Sequence, residues 1–168
     1  MTHRETDSDT ANPYRQQLLK AGVPEAMHDM LRHHGVGDLV EKMEITFLEL
    51  TRDRVVATMP VRGNTQVTGL LHGGAHVVLA ETLGSFAAGI HAGLGSRQAL
   101  GIEIGASHHR AATEGLVVGT CTPIHLGRTL TTHEIVMTDE QGRRLSTVRM
   151  TNMIKDTKLP QPDKRSSE

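Results

Sequence analysis

The sequence predicts an α+β domain in which one antiparallel sheet wraps around one long central helix. One long segment, residues 73–91, is compatible with a helix throughout. Strand-like segments with alternating apolar side chains lie on both sides of it, and short turns separate them, as antiparallel neighbours require. A chain of 168 residues suffices for one domain with a core. We place that domain at residues 18–155, between polar tails expected to be disordered at 1–17 and 156–168.

The segment before the long helix predicts a short helix and a hairpin. Residues 24–31 form a short amphipathic pattern, with Pro24 suited to the first turn and an end near Gly35. Two alternating runs follow, separated by a turn at residues 51–53. Their apolar positions are Met43, Ile45, Phe47, then Val55, Ala57, Met59 and Val61.

The long helix and four later strands complete the predicted layout. No helix-breaking residue interrupts residues 73–91, and Gly93 and Gly95 are expected to end the helix. A set of mostly apolar residues there follows helical spacing: Val78, Leu79, Thr82, Leu83, Phe86 and Ile90. The strand-like runs cover residues 100–108, 116–124, 130–138 and 144–154, with turn residues between them.

Composition excludes several classes of function. Lys plus Arg (18) nearly balance Asp plus Glu (19), and only 2% of residues are aromatic. We therefore expect neither nucleic acid nor a membrane as partner. The single cysteine, Cys121, rules out an internal disulfide and suits a reducing cytoplasm. The N-terminus lacks the apolar run of a signal peptide, and no apolar stretch reaches about 18 residues, so a soluble cytoplasmic protein is expected.

Glu81 is the most informative residue. It is the sole carboxylate between Asp53 and Glu103, and it lies in an apolar, small-residue helix. Because burying a carboxylate is unfavourable, its presence there indicates function. It could act as nucleophile or as general base on water. Ser85, one helical turn later on the same face, could hold that water.

The helix start suits a carbonyl substrate. The first-turn amides of Gly73 and Gly74 can point unpaired N–H groups outward, and glycine lets a substrate oxygen approach the backbone. This arrangement predicts an oxyanion hole. Gln66 and His72, in the loop before the helix, supply neutral hydrogen-bond donors.

Each feature also has a structural interpretation. Paired glycines are common as turn chemistry, a lone histidine often caps a helix, and Glu81 could simply be exposed. His72 and His76 are four residues apart, but Gly73 stands where the zinc-protease pattern needs Glu, so no metal is expected. Cys121 has no neighbouring base and is not expected to be a nucleophile.

The segment from residue 69 to 85 resembles a known family. Gly-Leu-Leu-His-Gly-Gly-Ala at 69–75, followed by Val-Val-Leu-Ala-Glu-Thr-Leu-Gly-Ser at 77–85, resembles the signature of hotdog-fold acyl-CoA thioesterases. The subgroup is the one that uses a helix glutamate, such as 1,4-dihydroxy-2-naphthoyl-CoA, enterobactin-proofreading and Arthrobacter-type 4-hydroxybenzoyl-CoA thioesterases. The similarity continues through residues 101–104, 125–127 and 139–143.

The resemblance implies a role for each of the site residues. Glu81 would be the catalytic carboxylate and the Gly73 amide the oxyanion donor. Gln66 and His72 would polarise the thioester carbonyl and ease departure of the thiolate, while Ser85 would position water. The reaction converts an acyl-CoA and water to free acid and CoA without metal or cofactor.

The resemblance also implies substrate contacts and an assembly. His108 would lie near the acyl pocket, with Arg110 and Arg128 near the CoA phosphates. Family members pair into a dimer with a continuous sheet and form homotetramers as dimers of dimers, so Glu81 would act on a thioester held by the other subunit.

The substrate implied first is 1,4-dihydroxy-2-naphthoyl-CoA of menaquinone biosynthesis. The next alternatives are a hydroxybenzoyl-type, a phenylacetyl-type or a broad-specificity acyl-CoA thioesterase. A non-catalytic acyl-CoA-binding module and a dehydratase acting on β-hydroxyacyl thioesters are the alternatives from other functional classes. The carboxylate at Glu81 counts against a simple binding module.

Overall fold

The computed structural model describes residues 12–93 and 97–156. Three short helices come first: α1 (Arg15–Lys20), α2 (His28–Leu31, after a 3₁₀ turn at Glu25–Met27) and α3 (Asp38–Lys42). A hairpin and the long helix follow: β1 (Thr46–Leu50), β2 (Val55–Pro60) and α4 (Gly73–Ala92). The chain then forms β3 (Arg97–His108), β4 (Leu116–Leu126), β5 (Leu130–Thr138) and β6 (Arg144–Asp156).

The six strands form one antiparallel sheet in the order β1-β2-β4-β5-β6-β3. Every neighbouring pair is antiparallel, and the helix α4 packs across the inner face of the sheet. This confirms the predicted α+β architecture. Strand β3 pairs with β6 on one side, which leaves its other side as an edge of the sheet.

Close packing between α4 and the sheet depends on small residues. A Cβ on Gly119 of β4 would lie 2.6 Å from Cδ1 of Leu83, so glycine lets the helix approach the strand. Further along α4, the ring of Phe86 contacts that of Phe47 on β1, with centroids 4.7 Å apart. The largest fully buried side chains include Leu18, Met59, Leu79, Ile135, Met137, Leu145 and Met150. Burying each such side chain contributes about 1.5–3 kcal/mol.

Part of the segment assigned to the N-terminal tail is helical. Helix α1 begins at Arg15, so the predicted boundary between tail (1–17) and domain falls inside a helix. Gln17 also fixes the following loop, since its Oε1 accepts a hydrogen bond of 2.9 Å from the Val36 amide. Helix α3 was not predicted; it is five residues long and starts after Gly37, whose φ is 87°.

Strand β1 covers Thr46–Leu50 and so begins three residues after the predicted start at Met43, whereas from α4 onward the element ends are near their predicted positions. Helix α4 ends at Ala92, with Gly93 in the left-handed region at φ 76°. The second expected terminator, Gly95, lies outside the described residues. Strand β6 includes Asp156, the first residue of the predicted C-terminal tail, and residues 157–168 are also outside the described part. Among the described helices, none has the length and apolarity to cross a membrane.

Candidate active site

His72 begins helix α4 as its N-cap. Its Nδ1 accepts a hydrogen bond of 2.8 Å from the Gly74 amide. A neutral His72 ring therefore carries its proton on Nε2, which makes that atom a donor toward the surroundings. The Gly74 amide already donates its hydrogen to His72, so the expectation that it is an unpaired donor for an oxyanion is wrong. The Gly73 amide has no acceptor within residues 12–93 and 97–156.

Gln66 is held in a tight turn before the helix. Its backbone amide donates to the Leu70 carbonyl at 2.8 Å, and its carbonyl accepts from the Gly69 amide at 2.9 Å. Gly69 has a φ of 79°, which a residue with a side chain rarely adopts. The turn directs the loop back over the start of α4, and Gln66 lines a cavity there together with Gly73.

This cavity, of about 360 Å³, brings several predicted residues together. Besides Gln66 and Gly73, its lining includes His76, His108 and Arg110. A Cβ on Gly73 would lie only 3.1 Å from His108 Nε2, so the imidazole covers the glycine directly. The cavity thus places an unpaired backbone amide, a side-chain amide and an imidazole around one small volume.

Glu81 and Ser85 form a second group further along α4. Both are half-buried, and Ser85 Oγ donates to Glu81 Oε1 at 3.3 Å. Glu81 is eight residues after Gly73 in the same helix, which corresponds to about 12 Å along the axis. One protomer therefore does not bring Glu81 and Gly73 to the same carbonyl.

The carboxylate of Glu81 is packed against residues that the sequence analysis did not select. A Cβ on Gly101 of β3 would lie 2.8 Å from Glu81 Oε1 and 3.7 Å from Oδ1 of Asn152. Asn152 is fully buried on β6, and its amide donates to the Gly84 carbonyl at 3.4 Å. A glycine inside a strand and an asparagine at an inward position of an alternating strand are the signals that could have identified them.

Arg128 lies apart from the other predicted residues. It occupies the turn between β4 and β5, where its carbonyl accepts from Arg97 Nη1 at 3.1 Å. Arg97 also donates to the carbonyl of Ala92, the last residue of α4. Since α4 has 20 residues, this end is about 30 Å from Gly73. Within one protomer Arg128 is not part of the cavity that holds Gly73.

A larger open groove of about 770 Å³ adjoins the cavity through His109, which lines both. It is formed by the outer surface of β3 and β6 and carries Arg144 and Arg149. Arg149 Nη2 is 3.7 Å from the carboxylate of Glu103. The groove is cationic, but the smaller cavity holds the donors suited to a carbonyl, so we assign the candidate site to the smaller one.

Cys121 and His76 are both buried. Burial raises the pKa of the Cys121 thiol to about 12, so it is protonated and unreactive at neutral pH. His76, considered in the sequence only as a metal ligand beside His72, is instead buried in the cavity wall. Among the described residues no group of three or more potential ligands is placed to hold a metal ion.

Comparisons with known proteins show the family of this chain. The family described as the Thioesterase superfamily matches residues 68–146, which include the helix start, Glu81 and β3. The proofreading thioesterase EntH of Cronobacter sakazakii is 48% identical over 127 residues, 75% of this chain and 92% of the relative. The 1,4-dihydroxy-2-naphthoyl-CoA hydrolase of Escherichia coli is 43% identical over 127 residues, 75% of this chain and 93% of that protein.

Solved structures show the same fold. A mutant thioesterase of Pseudomonas aeruginosa superposes with a TM-score of 0.70 at 31% identity, covering 76% of this chain and 93% of that one. A thioesterase of Haemophilus influenzae gives 0.67 at 31% identity, covering 74% and 87%. Because sequence, family match and fold agree, the chain belongs to the hotdog-fold Thioesterase superfamily and is a thioester hydrolase.

Proposed function

We propose that this enzyme hydrolyses an aryl-CoA thioester, foremost 1,4-dihydroxy-2-naphthoyl-CoA of menaquinone biosynthesis, to the free acid and CoA. The observation that carries the proposal is the unpaired Gly73 amide in a cavity with Gln66 and His108, on the helix that also bears Glu81. The relative from Escherichia coli, named for that substrate, supports the choice of acyl group. Hydroxybenzoyl-CoA, phenylacetyl-CoA and a broad acyl-CoA range are the next candidates.

The thioester carbonyl would accept hydrogen bonds from the Gly73 amide and the Gln66 side-chain amide. Both donors are neutral, and the positive end of the α4 dipole reinforces them as negative charge develops on the oxygen. His72 carries its proton on Nε2 because its Nδ1 accepts from Gly74. That proton can stabilise the departing thiolate of CoA.

Glu81 would supply the attacking group. In one route its carboxylate attacks the carbonyl carbon, CoA leaves as the thiolate, and water hydrolyses the resulting anhydride. In the other, the carboxylate takes a proton from a water that attacks directly, with Ser85 aligning that water. Both routes consume one water and release acid and CoA. The Ser85 to Glu81 hydrogen bond suits either route.

A complete site would need two subunits. The separation of about 12 Å along α4 keeps Glu81 away from the carbonyl held at Gly73 of its own chain. We propose a homodimer joined through the edge strand β3, with two such dimers forming a tetramer. In the dimer, Glu81 of one copy would face Gln66, His72 and Gly73 of the other.

The CoA phosphates would contact arginines near the cavity mouth. Arg110 lines the cavity, and Arg144 lines the groove beside it. Guanidinium groups bind phosphate oxygens through paired hydrogen bonds. If Arg128 contributes, it would do so from a different subunit, since it lies at the opposite end of α4.

The test is release of free thiol from a panel of acyl-CoAs with wild type and Glu81→Gln. The panel contains 1,4-dihydroxy-2-naphthoyl, 4-hydroxybenzoyl, phenylacetyl and straight-chain fatty acyl groups. We expect highest kcat/KM for the naphthoyl substrate and a loss of about 10²–10⁴-fold in kcat for Glu81→Gln. Asp53→Asn, which removes an exposed carboxylate in the turn between β1 and β2, is the control and should behave as wild type.

Two results would contradict the proposal. Near wild-type turnover by a folded Glu81→Gln would remove Glu81 from the chemistry. Fastest turnover of the fatty acyl substrate would replace the aryl preference by a broad or aliphatic one.

A further inference from the structure

His76 is a buried imidazole in the wall of the candidate site, with no part in the chemistry described above. Only 3% of its surface is exposed, and its Nδ1 has no hydrogen-bond partner among the described residues. It lines the cavity that also contains Gly73 and Gln66. Its ring contacts that of His108, with centroids 5.3 Å apart and planes inclined by 40°.

The protonation of His76 follows from its surroundings. Burial, together with the neighbouring His108, lowers the pKa of His76 from 6.5 to about 4, so the ring is neutral near pH 7. A neutral imidazole has one N–H group and one lone pair. A buried N–H group without a partner is rarer in proteins than a buried lone pair without one. We therefore assign the lone pair of His76 to its unpartnered Nδ1. The proton then lies on Nε2, and His76 is a hydrogen-bond donor.

His108 has a hydrogen-bond acceptor at its Nε2, whereas His76 has a donor at that position. The hydroxyl of Ser146 donates its single proton to the Ser107 carbonyl at 3.1 Å. Ser146 Oγ can therefore only accept from His108 Nδ1, which is 3.2 Å away. The proton of His108 lies on Nδ1, and Nε2, the atom above Gly73, carries a lone pair. The two neighbouring imidazoles thus offer one donor and one acceptor.

We propose that His76 and His108 bind a hydroxyl group on the acyl part of the substrate, adjacent to the thioester carbonyl, and that His76 is a specificity-determining residue. This inference rests on the proposed function, in which the carbonyl lies at Gly73. A hydroxyl group accepts one hydrogen bond and donates another, so it matches both rings. The preferred acyl groups are 2-hydroxyaroyl groups, because a hydroxyl on the neighbouring ring carbon projects beside the carbonyl.

Acyl groups without that hydroxyl would leave both imidazoles unpaired in a buried site. A site built to bind a polar group rejects the analogue that lacks it, since its own groups then lose their partners. Each such hydrogen bond is worth about tenfold in affinity. The selectivity therefore should depend on His76 even though His76 takes no part in the attack on the carbonyl.

The experiment compares kcat/KM for two substrates that differ only in the hydroxyl, 1-hydroxy-2-naphthoyl-CoA and 2-naphthoyl-CoA. We expect the wild type to prefer the hydroxylated substrate by about tenfold or more, and His76→Ala to lose about tenfold of that preference. His76→Gln keeps a donor amide and should retain part of it. If His76→Ala does not fold, His76→Phe keeps a ring without a donor and gives the same comparison.

The outcomes separate this inference from the proposed function. A preference that is the same in wild type, His76→Ala and His76→Phe, with both naphthoyl-CoAs hydrolysed, would overturn the role of His76 and leave the proposed function standing. No hydrolysis of any acyl-CoA by the wild type would overturn both. Loss of the preference in His76→Ala, with partial recovery in His76→Gln, would establish His76 as a residue that determines specificity.

Discussion

The carboxylate of Glu81 fits against strand β3 because the residue there, Gly101, has no side chain. A Cβ there would lie 2.8 Å from Glu81 Oε1. Asn152 closes the same space from β6, and the hydroxyl of Ser85 binds the carboxylate from one turn along the helix. The absence of a side chain at Gly101 therefore leaves the space that the Glu81 carboxylate occupies.

Replacing Gly101 should impair catalysis without unfolding the protein. In Gly101→Ala the new methyl group displaces the carboxylate, and a shift of about 1 Å in a catalytic group can lower the rate by up to about 100-fold. Thiol release measures kcat, and circular dichroism reports the fold. Gly105→Ala in the same strand is the control, because its Cβ would meet only the exposed Glu103, at 3.3 Å. Equal activity of both variants would show that Glu81 tolerates the displacement.

Two buried histidines should make the protein less stable in mild acid. Burial lowers the pKa of His76 and of His133 from 6.5 to about 4, with His108 and His91, respectively, adding to the effect. Between about pH 6.5 and pH 4, these two histidines are therefore protonated in the unfolded chain and neutral in the folded chain. The free energy of unfolding should fall as the pH drops from about 6.5 to about 4, by up to about 1.4 kcal/mol per pH unit for each histidine.

Urea unfolding at a series of pH values measures this slope. His133→Gln removes one of the two protons and should flatten the slope, whereas His34→Gln, at an exposed position, should leave it unchanged. An identical slope in His133→Gln and wild type would mean that other groups cause the acid sensitivity.

At the scale of elements, the periodic segments were the predictable part of the fold. Helix α4 is a long segment without a helix-breaking residue, and strands β4, β5 and β6 contain alternating apolar positions with a period of 2. Helices α1 and α3 are too short for such a pattern, and their order comes from tertiary contacts such as Gln17 with Val36.

The site was predictable to the extent that local sequence determines it. The cap at His72 and the free amide of Gly73 follow from residues adjacent in the chain. Gly101 and Asn152 meet Glu81 only because β3 pairs with β6, and no local pattern in the sequence contains that register. His76 depends on its contact with His108, which is 32 residues away along the chain.

Gly84 in α4 should be required by packing against β6. A Cβ at this position would lie 2.5 Å from Sδ of Met150. We expect Gly84→Ala to lower the free energy of unfolding by about 1–2 kcal/mol, because overpacking outweighs the better helix propensity of alanine. In a Met150→Ala background the clash is absent, and the same substitution should stabilise by about 1 kcal/mol. Urea unfolding of the four proteins tests this reversal; the same sign in both backgrounds would contradict it.

At the scale of the whole molecule, the edge strand β3 is the surface of the protomer best suited to pair with a second copy. It is 12 residues long, largely exposed, and pairs with β6 on one side alone. Ile102 on this strand is 53% exposed. A long unprotected edge with apolar side chains readily pairs with another strand. Pairing of two copies through β3 would bury this edge and is the arrangement on which a shared site depends.

A site shared between subunits can be tested by combining two defective chains. Gln66→Ala and Glu81→Gln should each have low activity, since they damage the carbonyl-binding half and the carboxylate half, respectively. In a hybrid dimer one site contains both mutations and the other contains neither. Random pairing makes half of the dimers hybrids with one intact site each, so the mixture should recover up to about a quarter of wild-type activity. Co-expression with two different tags allows the hybrids to be purified and assayed by thiol release. If each site belonged to a single chain, every site in the hybrid would carry one mutation, and the purified hybrid would be no more active than the average of the two parents.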